Sequence, residues 1–113
     1  MAGRLSTHVL DLTRGAPAAG MEIELWRLDP SPERVKVVRT NADGRTDSPV
    51  LGAEEVVPGA YELVFAVREY FAAAGVDSPF LDRVPIRFEL EAGSAYHVPL
   101  LVTPWAYSTY RGS

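Results

Sequence analysis

Two histidines and two arginines concentrate the chemistry available to this chain. His8 lies in LSTHVLD and His97 in YHVPLL. Arg45 follows the turn sequence NADG, and Arg111 lies in the tail YSTYRGS. An imidazole has its ordinary pKa near neutrality, so it can take a proton from water as a general base. A guanidinium offers a rigid fork of donors to an anionic or carbonyl-rich ligand. Each histidine alone also fits a half-buried ring bonded to backbone. Each arginine alone also fits a solvated surface charge.

Other chemistries find less support. Two imidazoles and a carboxylate can hold a metal, but HxH, HxxxH and HExxH spacings are absent. The one acid near a histidine, Asp11, alternates onto the strand face opposite His8. No metal and no cofactor are expected. There is no Gly-rich phosphate loop and no G-x-S-x-G motif. The absence of cysteine excludes disulfides, thiol catalysis and zinc–thiolate sites. The formal net charge is −4, with Lys and Arg scattered, which argues against a nucleic-acid partner. No run of about 18 apolar residues exists to span a membrane. The segment MAGRLSTHVLD lacks the apolar stretch of a secretory signal, so a cytoplasmic location is expected.

These groups must be positioned by short strands. The dominant pattern is period two, punctuated by turn residues. In residues 5–13, Ser6, His8, Leu10 and Leu12 share one face, and Leu5, Thr7, Val9 and Asp11 the other. Further strands are expected at 21–28, 34–40, 60–67, 84–90, 96–103 and 105–110. RGAPAAG, DPSPE and NADG are the breaks. REYFAAAG, at 68–75, is the one helix candidate, with Gly75 at the stop position. His97 shares its face with Pro99 and Leu101. The 113 residues fit one domain, 1–113, with 47% hydrophobic residues to build its core. Seven to eight short strands and one short helix favour an all-β antiparallel β-sandwich. Residue patterns reach this architecture and its candidate groups, but not a substrate.

Four stretches extend the reading: LSTHVLD, TNADGR, YFAAAG followed by PFLDRVPIRFEL, and YHVPLLVTPWAYSTYRGS. Together, and in this order, they resemble the transthyretin-like (prealbumin-like) proteins, and within them the 5-hydroxyisourate hydrolases of urate and purine degradation. The terminal YRGS is the most specific element. The resemblance implies hydrolysis of the cyclic amide of 5-hydroxyisourate to 2-oxo-4-hydroxy-4-carboxy-5-ureidoimidazoline without a cofactor. It implies catalytic roles for His8, Arg45 and His97, and substrate binding by Tyr110, Arg111, Gly112 and Ser113. Gly112 is expected to let the backbone approach the ligand closely. It also implies a homotetramer of sandwich dimers. The alternative within the same superfamily is a non-catalytic carrier of a small aromatic ligand. Two imidazoles and a guanidinium at the matching positions suit chemistry on a small polar molecule better.

Overall fold

The computed structural model describes residues 3–112; Ser113, one of the expected substrate-binding residues, lies outside the described residues. Eight strands and one helix follow in the order β1 (Arg4–Asp11), β2 (Ala16–Pro17), β3 (Glu22–Arg27), β4 (Glu33–Arg39), β5 (Gly59–Ala66), α1 (Val67–Ala73), β6 (Arg83–Leu90), β7 (Ala95–Val102) and β8 (Tyr107–Thr109). They form two four-stranded sheets, ordered β2-β1-β7-β8 and β4-β3-β5-β6.

Alternation decides the layers. Every second residue of β1 is buried, namely Leu5, Thr7, Val9 and Asp11. In β3, Ile23 and Leu25 are buried while Glu22 and Glu24 lie on the other face. Leu5, Val9, Leu100 and Val102 of the first sheet close the core with Ile23, Leu25, Leu63 and Phe65 of the second. Each such side chain contributes about 1.5–3 kcal/mol through burial. The core hydroxyl of Thr7 donates to the Val98 carbonyl at 2.7 Å, so no polar group is stranded between β1 and β7.

Among the described residues, every strand pairing but one is antiparallel. The exception is β1 with β7, which run parallel from Arg4 opposite Ala95 to Asp11 opposite Val102. The expected antiparallel sandwich therefore contains one mixed sheet. This pairing brings the two histidine strands side by side.

The helix begins one residue earlier than its sequence pattern suggests, at Val67, because Val67, Tyr70 and Phe71 all bury. It ends where expected: Gly75 takes φ +76°, and the Val76 N–H returns to the Phe71 carbonyl at 2.8 Å. Tyr70 ties the helix to the first sheet by donating to Asp11 Oδ2 at 2.8 Å. Burial pushes the Asp11 carboxyl up, but bonds from Thr13 and Tyr70 outweigh it and hold the group below its ordinary range. Burial and the Asp11 bond push the Tyr70 hydroxyl up to about 12.

Each of the seven expected strands shifts by one or two residues at an end, and two departures alter the layout of the first sheet. Trp105 is not in a strand. The Thr103 hydroxyl accepts the N–H groups of Trp105 and Ala106, each at 3.0 Å, and so builds a turn before β8. The break after β1 contains β2, whose two residues pair with Leu10 and Asp11.

Candidate active site

The histidine faces point outward. Ser6, His8 and Leu10 are half-buried on the outer face of the first sheet, and the alternate residues fill the core. That face is only partly apolar and does not belong to the core; Leu12, just beyond β1, is 51% exposed.

The edge of β1 away from β7 is covered piecewise. Leu51 bridges Leu5, the NADG turn bridges His8 through Arg45, and β2 pairs with Leu10 and Asp11. Asn41 shapes the turn. Its side-chain oxygen accepts from the N–H groups of Asp43 at 2.9 Å and Arg45 at 3.2 Å. Gly44 adopts φ +74°, and its carbonyl accepts the Val9 N–H at 2.8 Å. Directly opposed residues on neighbouring strands present their side chains to the same face. The bridge therefore places Arg45 beside His8.

His8 is fixed by the same turn. Its Nε2 lies 2.9 Å from the Asp43 carbonyl. A carbonyl has no hydrogen to give, so Nε2–H donates and the neutral ring carries its lone pair on Nδ1.

His97 faces Ser6 across the parallel pair, and its Nδ1 lies 2.9 Å from the Ser6 hydroxyl. On its other side His97 bridges Gly112, whose N–H donates to the His97 carbonyl at 2.7 Å. A Cβ on Gly112 would sit 2.8 Å from His97 Cδ2 and 3.0 Å from its Cβ. The close approach expected of Gly112 is thus to the catalytic candidate's ring. Burial, then the Arg45 charge, then the His8 ring, lower the pKa of His97. Beside this row a cleft of about 250 Å³ opens between Arg4, Ser6, Arg45 and Ser48.

The register from Leu100–Thr109 to His97–Gly112 is continuous, so Tyr110 lies opposite Pro99 and Arg111 opposite Val98. Tyr110 shares the outer face and is exposed. Arg111 points the other way. Its guanidinium sits 4.3 Å from the Tyr96 ring centroid, and Nη2 donates to the Ala95 carbonyl at 3.4 Å. The structure therefore brings together His8, Arg45, His97 and Gly112, with Tyr110 on the same face. It sets Arg111 apart as a clamp on the tail. Ser6 was visible as a same-face neighbour of His8, but its contact with His97 required the register. Among the described residues, no three His, Asp or Glu side chains gather as a metal-ligand cluster.

A sequence model of the HIUase/Transthyretin family matches residues 5–112. The chain belongs to this family. Its relatives include the 5-hydroxyisourate hydrolases of Mesorhizobium japonicum, 54% identical over 98% of this chain and 93% of that protein, and of Ralstonia nicotianae, 52% identical over 98% and 99%. Among solved structures, Klebsiella pneumoniae 5-hydroxyisourate hydrolase superposes with a TM-score of 0.84 at 37% identity, covering 98% of this chain and 94% of that one. An (S)-allantoin synthase superposes at 0.92 with 46% identity over 99% of this chain, which spans 44% of that longer chain. Sea bream transthyretin shares the family's fold at a TM-score of 0.87 and 21% identity.

Proposed function

We propose that this family member is a 5-hydroxyisourate hydrolase that opens the cyclic amide by general-base catalysis, without a cofactor or a covalent nucleophile. The observation that carries the reading is the convergence of His8, Arg45 and His97 on one open sheet face. The hydrolase relatives at about half identity over nearly the whole chain support the substrate.

In this mechanism neutral His97 takes a proton from water. The resulting hydroxide oxygen attacks the amide carbonyl carbon. The guanidinium of Arg45 orients the carbonyl and stabilises the oxyanion as charge develops. The C–N bond then breaks, and the proton held by His97 passes to the leaving nitrogen. His8, with its Nε2–H committed to Asp43, keeps a lone pair on Nδ1 that can orient the water. Gly112 seats the His97 ring, and Tyr110 walls the face. Arg111 acts through the tail it clamps. A carrier of a small aromatic ligand would gain little from these polar groups.

Freshly prepared 5-hydroxyisourate, followed by absorbance, is expected to decay faster with the protein than alone. Decay at the spontaneous rate would remove the reading. The pH dependence has a definite sign. The base must be neutral, and His97 is held below its ordinary value of about 6.5. Activity should therefore stay level at neutral pH and fall only as pH drops below the ordinary histidine range. A profile flat through acid pH would exclude an imidazole base.

The proposal includes a homotetramer. β8 and β6 are the terminal strands of the two sheets and flank a cleft lined by Ile86, Phe88, Val98 and Tyr110. Tyr107 is 44% exposed and Tyr110 59% exposed on this side. An uncharged aromatic edge invites pairing, and pairing with its own copy about a two-fold axis closes it. Sedimentation of the protein as a monomer at micromolar concentration would oppose this assembly.

A further inference from the structure

Within the outer face, the contact between Ser6 and His97 bridges the two histidine strands beside the cleft that Ser6 helps to line. It joins residues 91 apart in sequence, at 2.9 Å, where β1 and β7 run side by side. Among the described residues the Ser6 hydroxyl bonds to nothing else, and Nδ1 is the one His97 ring nitrogen with a partner. Gly112 packs against the Cδ2 edge of the ring. Nδ1 and Cδ2 flank the ring's attachment to Cβ, so both sides of its base are held. Nε2, at the distal end, is left for the outer face.

We propose that Ser6 is a positioning residue for His97, its hydroxyl accepting Nδ1–H so that the neutral ring presents its lone pair on Nε2. This rests on the catalytic reading of His97 given above. The direction of the bond follows from what a base must do. If Ser6 donated to Nδ1, the hydrogen of the neutral ring would sit on Nε2, and the distal end would have no lone pair. When Nε2 takes a proton from water, the imidazolium carries hydrogens on both nitrogens. A hydroxyl already accepting Nδ1–H then keeps its bond, which strengthens as the donor becomes charged.

The choice of serine is also chemically specific. A carboxylate at this position would stabilise the imidazolium and raise its pKa. A neutral hydroxyl orients the ring without that penalty. The titratable and charged groups facing His97 are then His8 from β1, Arg45 after the turn and Tyr110 from the tail, where Gly112 brings no side chain. Serine thus orients the ring without favouring its protonated form.

Long-range proton–nitrogen correlation of the His97 ring tests this in the full chain, through a pH titration of the wild type, Ser6→Ala and Ser6→Thr. In the neutral wild type, Nδ1 should carry the hydrogen. Ser6→Ala should shift the population toward Nε2–H, lower kcat about tenfold and leave KM within about twofold, the scale of one net hydrogen bond. Ser6→Thr keeps the hydroxyl on a strand-compatible residue and should restore both tautomer and rate. A wild-type ring protonated on Nε2 would overturn the assignment. So would Ser6→Ala with unchanged ring shifts and kcat, whatever the outcome of mutating His97. Full activity in a His97→Asn variant would instead remove the catalytic reading, and the tautomer measurement would still decide what Ser6 does to the ring.

Discussion

His97→Asn is expected to lower kcat on 5-hydroxyisourate by about 10²- to 10⁴-fold, the usual share of a positioned general base. Asparagine suits the test because of what it keeps. Its amide reaches the region of Nδ1 and can still meet the Ser6 hydroxyl, 2.9 Å from the native ring. It also preserves a flat surface for Gly112, whose Cα is packed against His97. What it removes is Nε2, the distal nitrogen that holds a lone pair. KM should change little, because Arg45 and the cleft beside it remain. A loss confined to kcat marks an interaction made only in the transition state. The measurement is steady-state kinetics beside a thermal midpoint. A variant with kcat within threefold of the wild type would return His97 to a structural role.

Gly44→Ala is expected to damage stability and catalysis together. A methyl at residue 44 would lie 2.4 Å from the Val9 carbonyl oxygen, 3.1 Å from Pro17 Cβ and 3.3 Å from the Ala18 nitrogen. Two of these are backbone atoms already committed, since Val9 O accepts Ala18 N–H at 2.9 Å. Neither can swing aside as a long side chain would. The positive φ of +74° adds about 1–2 kcal/mol for an L residue. With the bond from Val9 N–H to Gly44 O strained as well, a total of about 2–4 kcal/mol is expected.

The catalytic loss has a separate cause. Asp43 supplies the carbonyl that fixes His8, and Arg45 is the next residue after Gly44. Moving the turn by an ångström would misplace both, at about 10²-fold in kcat/KM. Gly15 is the internal control. It also has positive φ, +62°, but no atom lies within 4 Å of a Cβ there. Gly15→Ala should therefore show the strain alone, with kcat/KM unchanged. Denaturant unfolding and kinetics on the pair check this. A Gly44→Ala protein with native stability and native kcat/KM would show that the turn does not position the site.

Local features of the chain were legible because they depend on local physics. Alternation along residues 5–11 separated Leu5, Thr7, Val9 and Asp11 from Ser6 and His8 before any fold was known. Asn41–Gly44 announced a turn through residues that bond their own backbone or accept positive φ. Gly75 announced the end of the helix. By contrast, two residues in β2 are too few to show a period, and Trp105 looked like a strand residue until Thr103 was seen to fold the chain under it. The tail illustrates both sides. Its aromatic and polar residues suggested an ordered end, but period two also splits it, sending Tyr110 to the outer face and Arg111 onto Tyr96.

The candidate site divides along the same line. By itself, the sequence determined which side chains travel together: Ser6 with His8 on one strand face, His97 with Pro99, and Arg45 locked to its turn. Period two and turn chemistry act within a few residues and need no partner. Only the tertiary structure decided that the histidine faces look outward, that β1 and β7 run parallel, and that Ser6, His97 and Gly112 form one row. Alternation is symmetric between inside and outside. Register between strands some ninety residues apart is chosen by the packing of the whole sandwich, and no local pattern carries that information.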